Sequence, residues 1–160
     1  MKKIFAFTLL FAMFANADFS NEQFEIKSPA FSQKNVPAGL ITMFFLPAYD
    51  NFTANILVQK QHFPANLDAY KQMLIKQTKS LNHTVIHDSI NGNILLFEYK
   101  GMQNNREFHW YAKASKHGDY MYLVTGTSTE NGWSVQADII RNSVNSFKLK
   151  GKGEKHEHSH

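Results

Sequence analysis

The most constraining feature of the sequence is the run HTVIHDSINGNILLFEYK, in which Asn91-Gly92 stands between two segments of alternating apolar and polar residues. An Asn-Gly pair in this setting is the strongest short-range signal for a β-hairpin with a two-residue turn. Such a turn fixes the register and predicts that Ile90 pairs with Asn93. The residues that this register places on one apolar face are Ile86, Ile90, Leu95, Phe97 and Tyr99. The chain should therefore contain an antiparallel sheet.

Other segments with strand patterns flank this hairpin. FEIKS alternates apolar and charged residues, and GLITMFFLP and FTANILVQK are rich in β-branched and aromatic residues. REFHWYAKASK and YMYLVTGTS flank His117-Gly118-Asp119 and read as a second hairpin. The residues on one side of its first strand are Phe108, Trp110, Ala112 and Ala114. These segments predict a largely antiparallel, continuous sheet.

Two segments have the helical period instead. In PANLDAYKQMLIKQTKSL the apolar residues recur at helical spacing, and we expect one amphipathic helix from about Leu67 to Ser80. STENGWSVQADIIRNSVNSF opens with helix-capping residues, which predicts a second helix packed on the sheet, with SFKL after it as a last strand. The residues on its apolar stripe are Trp133, Ala137, Ile140 and Val144. The fold class is therefore predicted to be α+β.

The N-terminal segment MKKIFAFTLLFAMFANA has the features of a secretory signal peptide: two lysines, an apolar run, and small residues at the two positions that a signal peptidase reads. The apolar run is shorter than the roughly 20 residues that a stable membrane anchor needs. We expect cleavage after Ala17. The chain then divides into a signal peptide at 1–17, a single α+β domain at 18–149 and a disordered, His-rich tail at 150–160.

The cysteine count and the charge narrow the class of protein further. The chain has no cysteine, so it has no disulfides and no thiol that could carry a lipid anchor. There are 17 lysine and arginine residues against 13 aspartate and glutamate residues, and two of the lysines lie in the predicted signal peptide. The remaining positive charge is too small to favour nucleic acid as a partner. We expect a soluble periplasmic protein that is not a lipoprotein and has no membrane span after signal cleavage.

Four segments carry a resemblance to a known family through their order and spacing: LPAYDNFTANILVQ, NLDAYKQML, NGNILLFEY and IIRNSVNSFKL. Together they cover most of the chain from about Phe24 to Leu149. In this order they resemble the PsbP-like fold family, in its bacterial exported form the DcrB-like periplasmic proteins. The resemblance implies an α/β/α sandwich, an antiparallel sheet with helices on both faces. It also implies a family used for binding, although no partner-binding motif of that family can be matched here residue by residue.

The tail ends in HEHSH, which places His156, His158 and His160 two positions apart. Imidazole nitrogens are good ligands for Zn²⁺, Ni²⁺ and Cu²⁺, so the three side chains could converge on one ion, with Glu154 or Glu157 assisting. A free tail must lose conformational entropy to close around an ion, which predicts weak binding. The alternative is a solvated tail without a metal.

A second candidate metal site lies within the domain. His83 and His87 are four apart on a predicted strand, and Glu98 lies near them across the hairpin. However, residues four apart on a strand are separated by about 13 Å, which is too far for both imidazoles to bind one ion unaided. Polar residues on the solvent side of a sheet are therefore the favoured interpretation.

The aromatic residues exceed what alternation alone would place inside the protein, so some of them are predicted to form a surface for a partner or ligand. The residues that we assign to this surface are Tyr49, Phe52, Tyr111 and Tyr122. The alternative is that helices cover both faces of the sheet, which would place both sets of aromatic residues in the core.

The sequence contains no catalytic motif: no Gly-x-Ser-x-Gly elbow, no Gly-rich phosphate loop and no His-Glu-x-x-His pair. We therefore assign no catalytic residue. The pattern favours an exported, soluble, non-catalytic binding or accessory protein of the bacterial envelope, without a cofactor, whose partner is an unknown envelope protein or ligand. The alternatives are a periplasmic metal-binding protein that uses the tail and, as a second alternative, a hydrolytic enzyme.

Overall fold

The computed structural model describes residues 17–28, 31–32 and 36–151. Most of the predicted signal peptide and all three histidines of the C-terminal HEHSH lie outside the described residues. The elements in the described ranges are β1 (Ala17–Ser20), β2 (Phe24–Ser28), β3 (Phe31–Ser32), β4 (Leu40–Phe45), β5 (Asn55–His62), α1 (Leu67–Ser80), β6 (Thr84–Asn91), β7 (Ile94–Gln103), β8 (Arg106–His117), β9 (Tyr120–Thr129), α2 (Glu130–Ser146) and β10 (Lys148–Leu149).

The described strands form two sheets. The larger sheet has seven strands in the order β3-β4-β5-β9-β8-β7-β6, and the smaller has three in the order β1-β2-β10. Neighbouring strands are antiparallel in both sheets. The predicted α+β class with a largely antiparallel sheet is confirmed.

The hairpin between β6 and β7 differs from its predicted register. Its central residues are Gly92 and Asn93, so Asn91 pairs with Ile94 and Ile90 pairs with Leu95. Gly92 has φ +58°, at the first central position, where a type II′ turn takes glycine. The predicted Ile90–Asn93 pair is therefore wrong, because the partner of Ile90 lies two residues further along the chain, at Leu95. The apolar face still forms, because Ile90 packs with Leu95, Phe97 and Tyr99 in one core cluster.

A β-bulge changes the same strand further along. The pairing shifts between Val85 and His87, so that Val85 lies opposite Tyr99 and His87 lies opposite Glu98. An extra residue in one strand reverses the alternation of side chains beyond it. Ile86, predicted for the core, is consequently 47% exposed, and Val85 takes its place against the core.

Helix α1 has the predicted bounds. Its N-terminus is capped by Asn66, whose side-chain oxygen accepts a hydrogen bond from the amide of Ala69 at 2.9 Å. Leu67 and Tyr70 are buried in a cluster with apolar residues of β7, β8 and β9. The helix therefore covers the face of the sheet toward which even-numbered β8 residues such as Ala112 point.

Helix α2 covers the opposite face. Thr129 caps its N-terminus by accepting a hydrogen bond from the amide of Gly132 at 3.0 Å. Trp133, Ile140 and Val144 are buried in a second cluster, together with Tyr111 of β8 and with apolar residues of the smaller sheet. The predicted sandwich with helices on both faces is thus confirmed. Neither described helix has the length and apolar content that a membrane crossing requires.

Candidate functional site

Two groups of side chains are distinctive, one on each face of the larger sheet. The first, which we call the charged cluster, lies between the sheet and α2 and consists of Glu98, Lys100, His109, Glu130 and Arg141. The second, which we call the aromatic row, begins at Phe52 in the turn before β5 and continues on the opposite face with Phe108, Trp110, Tyr99 and His83.

His109 is the centre of the charged cluster. It is 5% exposed, with its Nε2 atom 2.7 Å from Glu98 Oε1 and its Nδ1 atom 2.8 Å from Glu130 Oε2. Each imidazole nitrogen is therefore within hydrogen-bond distance of a carboxylate oxygen. The ring also stacks on Trp133, with centroids 3.9 Å apart. Both nitrogens of His109 are thus engaged by carboxylates.

Two basic side chains complete the cluster. Arg141 donates a hydrogen bond to Glu98 Oε1 at 2.6 Å, and Lys100 contacts Glu130 Oε1 at 3.2 Å. Partial burial acts to raise the pKa of Glu130, but the hydrogen bonds and positive charges of His109 and Lys100 outweigh it and hold that pKa below its ordinary value. The same carboxylate, together with Glu107, raises the pKa of Lys100. The cluster is therefore a network of paired charges that joins β7 and β8 to α2.

From Phe108 to His83, the aromatic row lies on the face of the sheet that α1 packs on. Phe52 meets Phe108 edge to face at 5.1 Å, and Phe108 lies 5.8 Å from Trp110. Trp110 stacks on its cross-strand neighbour Tyr99 at 4.8 Å and on His83 at 5.0 Å. Five rings thus lie in contact, and stacked or edge-to-face rings are favourable beyond the area that they bury.

One glycine makes the end of the row possible. A Cβ atom on Gly101 would lie 2.1 Å from Cδ2 of His83, so the imidazole occupies the space that any other residue would fill. Nε2 of His83 is 3.2 Å from the carbonyl oxygen of Met102, while its Nδ1 is buried without a hydrogen-bond partner. His83 is therefore a packing residue of the row.

The other end of the row continues into a tight turn. Tyr49 and Phe52 exchange backbone hydrogen bonds of 2.9 and 3.0 Å, and the two residues between them, Asp50 and Asn51, have φ of 50° and 54°. Positive φ at both central positions is the geometry of a type I′ turn. Asparagine and aspartate tolerate this region better than most other non-glycine residues.

Side chains from other elements anchor this turn. Arg106 donates hydrogen bonds to the backbone carbonyl and the carboxylate of Asp50, and its guanidinium lies 5.8 Å from the ring of Phe52. Asn131, in the first turn of α2, donates to Asp50 Oδ2 at 3.2 Å. With its base fixed on two sides, the turn carries Tyr49, whose side chain is 44% exposed.

The structure separates the four residues predicted to form a partner surface. Tyr49 and Phe52 lie together at the turn, and Tyr49 is accessible. Tyr111 and Tyr122 belong to the core beneath α2, with 6% and 5% of their surface exposed. For these two, the alternative holds, namely that a helix covers the face of the sheet on which they lie.

The predicted pair of histidines does not come together either. His83 lies in the aromatic row, whereas His87 lies on the edge strand β6, where its Nε2 is 2.9 Å from Ser89 Oγ. Glu98 faces α2 within the charged cluster. Within the described part of the chain, no group of three or more histidine, cysteine, aspartate or glutamate side chains could hold a metal ion. His156, His158 and His160 lie outside it.

Sequence reasoning missed the charged cluster. The pairing of Glu98 with His109 could have been predicted from the Asn104-Asn105 pair in the sequence. These two residues form the turn between β7 and β8, and both have positive φ. That turn sets Glu98 opposite Tyr111, which places His109 diagonally across from Glu98 on the same face. The contributions of Glu130 and Arg141 depend on where α2 packs, which no strand register specifies.

No protein-family profile matches the chain, and no curated protein matches it in sequence. Solved structures do match. Cyanobacterial PsbP (CyanoP) from Synechocystis sp. PCC 6803 aligns over 84% of this chain and 92% of its own, with 13% identity and a TM-score of 0.60. PA94, a protein of unknown function from Pseudomonas aeruginosa, aligns over 81% and 92%, with 12% identity and a TM-score of 0.60.

LpqN of Mycobacterium tuberculosis, which is involved in cell envelope biogenesis, aligns over 75% of this chain and 83% of its own, with 11% identity and a TM-score of 0.52. At such low identities the likeness concerns the fold alone. The chain therefore has a PsbP-like fold, as the order of its sequence segments predicts.

Proposed function

We propose that the chain is an exported, non-catalytic accessory protein of the bacterial envelope that binds another protein through the turn Tyr49–Phe52 and the adjoining aromatic row. The observation that carries this proposal is the anchored turn. It presents an exposed tyrosine on a base fixed by Arg106, next to a continuous series of aromatic rings.

The composition and rigidity of this surface suit a protein partner. Tyrosine and arginine, present here as Tyr49 and Arg106, are among the residues enriched where binding energy at protein interfaces is concentrated. A turn that is already ordered loses little conformational freedom on binding, which favours affinity. Asn51 of the same turn and Asn104 and Asn105 of the β7–β8 turn add amides that can donate and accept hydrogen bonds at the polar rim of an interface.

Export is supported by the sequence of the N-terminal segment, which has the features of a signal peptide. An envelope role is supported by the fold that the chain shares with LpqN, a protein involved in cell envelope biogenesis. The non-catalytic assignment is supported by the charged cluster, in which both nitrogens of His109 are engaged by carboxylates and Glu98 is engaged by Arg141.

Site-specific photo-crosslinking in the native host tests the proposal. The photoreactive residue p-benzoylphenylalanine replaces Tyr49 in one variant and Tyr120 in a matched control. The two tyrosines have similar exposure, 44% and 41%. They lie at opposite ends of the sheet, because nine residue steps along β9, roughly 30 Å, separate Tyr120 from Thr129, which pairs with Phe108 of the row.

We expect one discrete adduct from the variant at position 49 in the periplasmic fraction, and none of the same mass from position 120. The crosslinked protein is then identified by mass spectrometry and purified. Its affinity should fall at least about tenfold, equivalent to 1.4 kcal/mol, on Tyr49→Ala or Phe52→Ala. Identical adducts from both positions, or no adduct from position 49, would overturn the proposal.

A further inference from the structure

We infer that a cavity beside Lys113 binds a small organic carboxylate that carries a short apolar chain, and that the ammonium group of Lys113 holds the carboxylate. The cavity lies next to α2, on the face of the larger sheet that this helix packs on. Its occupant would be a small molecule and not the protein partner of the turn Tyr49–Phe52. The inference therefore goes beyond the proposed function and does not depend on it.

The cavity exists because α2 covers only part of this face. The helix packs mainly on β8 and β9 of the larger sheet and on β2 of the smaller one. Val124, Lys113, Leu96 and Ser89 are paired in a row across β9, β8, β7 and β6, and directly paired residues point to the same face. Along this row Val124 is fully buried, Lys113 is 7% exposed, and Leu96 and Ser89 are half-buried. A strip of the sheet is thus open between the helix and the edge strand β6.

The cavity in this strip has a volume of about 210 Å³. The residues that line it are Ser89, Asn91, Ile94, Leu96, Lys113 and Asn145. Ile94 and Leu96 give it an apolar wall, and the exposed side chains of Asn91 and Asn145 give it a polar rim. Cavities that bind drug-sized ligands have volumes of about 300–1,000 Å³, so this one suits a smaller molecule.

The ammonium group of Lys113 has capacity for one more partner. It donates to the backbone carbonyl oxygens of Asn145 at 2.9 Å and Phe147 at 2.8 Å, and a lysine ammonium has three hydrogens to donate. Within the described residues, no carboxylate forms an ion pair with it. Carbonyl oxygens at the C-terminal end of a helix carry only partial negative charge, so they stabilise the ammonium without neutralising it.

The surroundings of Lys113 favour an anion. Burial lowers the pKa of its ammonium group below the ordinary value, and the positive charge of Lys148 lowers that pKa further. An anion in the cavity would act in the opposite direction, because a nearby negative charge stabilises the protonated form. A buried charge without a counter-ion costs free energy, and a bound carboxylate would offset part of that cost.

The side chain of Asn145 supplies a second donor at the cavity. Its oxygen accepts a hydrogen bond from the hydroxyl group of Tyr111 at 2.9 Å, whereas its nitrogen has no partner among the described residues. A carboxylate presents two acceptor oxygens, so the ammonium and the amide can each bind one of them. The chain attached to the carboxylate would then lie along Ile94 and Leu96. An inorganic anion would leave this apolar wall unused.

The test is a titration of hexanoate into the ¹⁵N-labelled protein purified after export, followed through the chemical shifts of the backbone amides. These shifts report both the affinity and the place of binding. Acetate and hexanamide are titrated in the same way. Acetate has the carboxylate without the longer chain, and hexanamide has the chain without the charge.

Three variants are compared with the parent protein. Lys113→Met removes the charge and keeps most of the length of the side chain. Because Lys113 also bonds the end of α2, thermal unfolding establishes that this variant is folded, and Ser89→Trp provides a second test by filling the cavity from its open side with Lys113 intact. Lys76→Met is the control, since it removes the same charge from an exposed position on α1, across the sheet.

We expect one hexanoate per chain, with the largest shifts at the amides of β6, β7 and the end of α2, and weaker binding of acetate and hexanamide. Affinity for hexanoate should fall at least about tenfold in Lys113→Met and in Ser89→Trp, the effect of losing a hydrogen bond to a charged group or the space for the ligand, and should stay at the parental value in Lys76→Met.

Hexanamide or acetate that binds as tightly as hexanoate would overturn the inference, because either the charge or the apolar wall would then be unused. Parental affinity in folded Lys113→Met or in Ser89→Trp would overturn it as well, as would no binding of hexanoate to the parent protein. If Lys113→Met does not fold, Ser89→Trp decides. Crosslinking at Tyr49 tests a different surface, so either proposal can fail without the other.

Discussion

The imidazole of His109 lies flat against the indole of Trp133, with ring centroids 3.9 Å apart and ring planes 8° from parallel. From this position its two nitrogens reach the carboxylates of Glu98 on β7 and Glu130 at the start of α2. One side chain on β8 is thus bonded to the neighbouring strand and packed against the helix that covers it. The charged cluster should therefore matter for stability.

The first prediction concerns His109→Phe. Phenylalanine preserves a ring on Trp133 but removes both ring nitrogens, which leaves the buried carboxylate of Glu98 without one of its hydrogen-bond partners. We expect the free energy of unfolding to fall by about 2–4 kcal/mol, the range for an unsatisfied buried polar group or a broken buried pair. Urea unfolding followed by tryptophan fluorescence measures it. The control His87→Phe, at an exposed site, should change stability by less than about 0.5 kcal/mol, and equal effects would contradict the prediction.

The second prediction concerns Gly101→Ala. The added methyl group would collide with the imidazole of His83, so the ring must leave its stack on Trp110 and its contact with Met102. We expect a loss of about 1–3 kcal/mol, as for overpacking elsewhere.

A double-mutant cycle with His83→Ala tests the cause. In the His83→Ala background the same glycine substitution should lose most of its effect, because the obstructing ring is gone. If Gly101→Ala is as harmful there as in the parent, the loss comes from the backbone and not from the aromatic row.

The positions of His83 and His87 could not be predicted from the sequence pattern. Alternation places residues four apart on one face, and it fails here because one extra residue, Ile86, interrupts the pairing of β6 with β7. The Asn91-Gly92 pair identified the hairpin correctly but did not determine which two residues would be central. A pattern of residue types specifies that strands pair, whereas bulges depend on how the side chains finally pack.

The helices were easier to predict because their ends have local causes. Asn66 caps α1 and Thr129 caps α2 through hydrogen bonds to amides only three residues away. The charged cluster has no such local signature. Arg141 reaches Glu98 across 43 positions of sequence, and the two meet only because α2 packs on that face of the sheet.

The third prediction concerns alkaline pH. Burial raises the pKa of Tyr99 from 10.0 to about 12. The unfolded chain therefore loses this proton at lower pH than the folded protein does. The stability that Tyr99 contributes is complete below pH 10 and is lost as the pH rises toward 12. Tyr99→Phe removes the group, so we expect stability to fall less steeply over this range.

Urea unfolding measures the effect at a series of pH values from about 9, one unit below the ordinary tyrosine pKa of 10.0, up to about 12, the raised pKa of Tyr99. The buried Tyr70, whose pKa is also raised to about 12, remains in the variant and should retain part of the pH dependence. Tyr49→Phe, at an exposed position, is the control. A Tyr99→Phe profile that coincides with that of Tyr49→Phe would contradict the prediction.

The last prediction separates folding from binding at the turn. Arg106 pairs with Asp50 near the surface, where ion pairs contribute about 0–1 kcal/mol, so Arg106→Ala should change the free energy of unfolding by no more than that. The substitution nevertheless frees the turn, because Asp50 then loses the guanidinium that bonds both its carbonyl and its carboxylate. A loosened turn must be ordered again when a partner binds, which lowers affinity. We expect the crosslinking yield at Tyr49 to fall several-fold in a protein of nearly unchanged stability.

Lys60→Ala is the control for this prediction. It removes a surface cation from the aromatic ring of Tyr120, at the other end of the sheet, and should leave the crosslinking yield unchanged. A yield that falls equally in both variants would place the binding surface elsewhere.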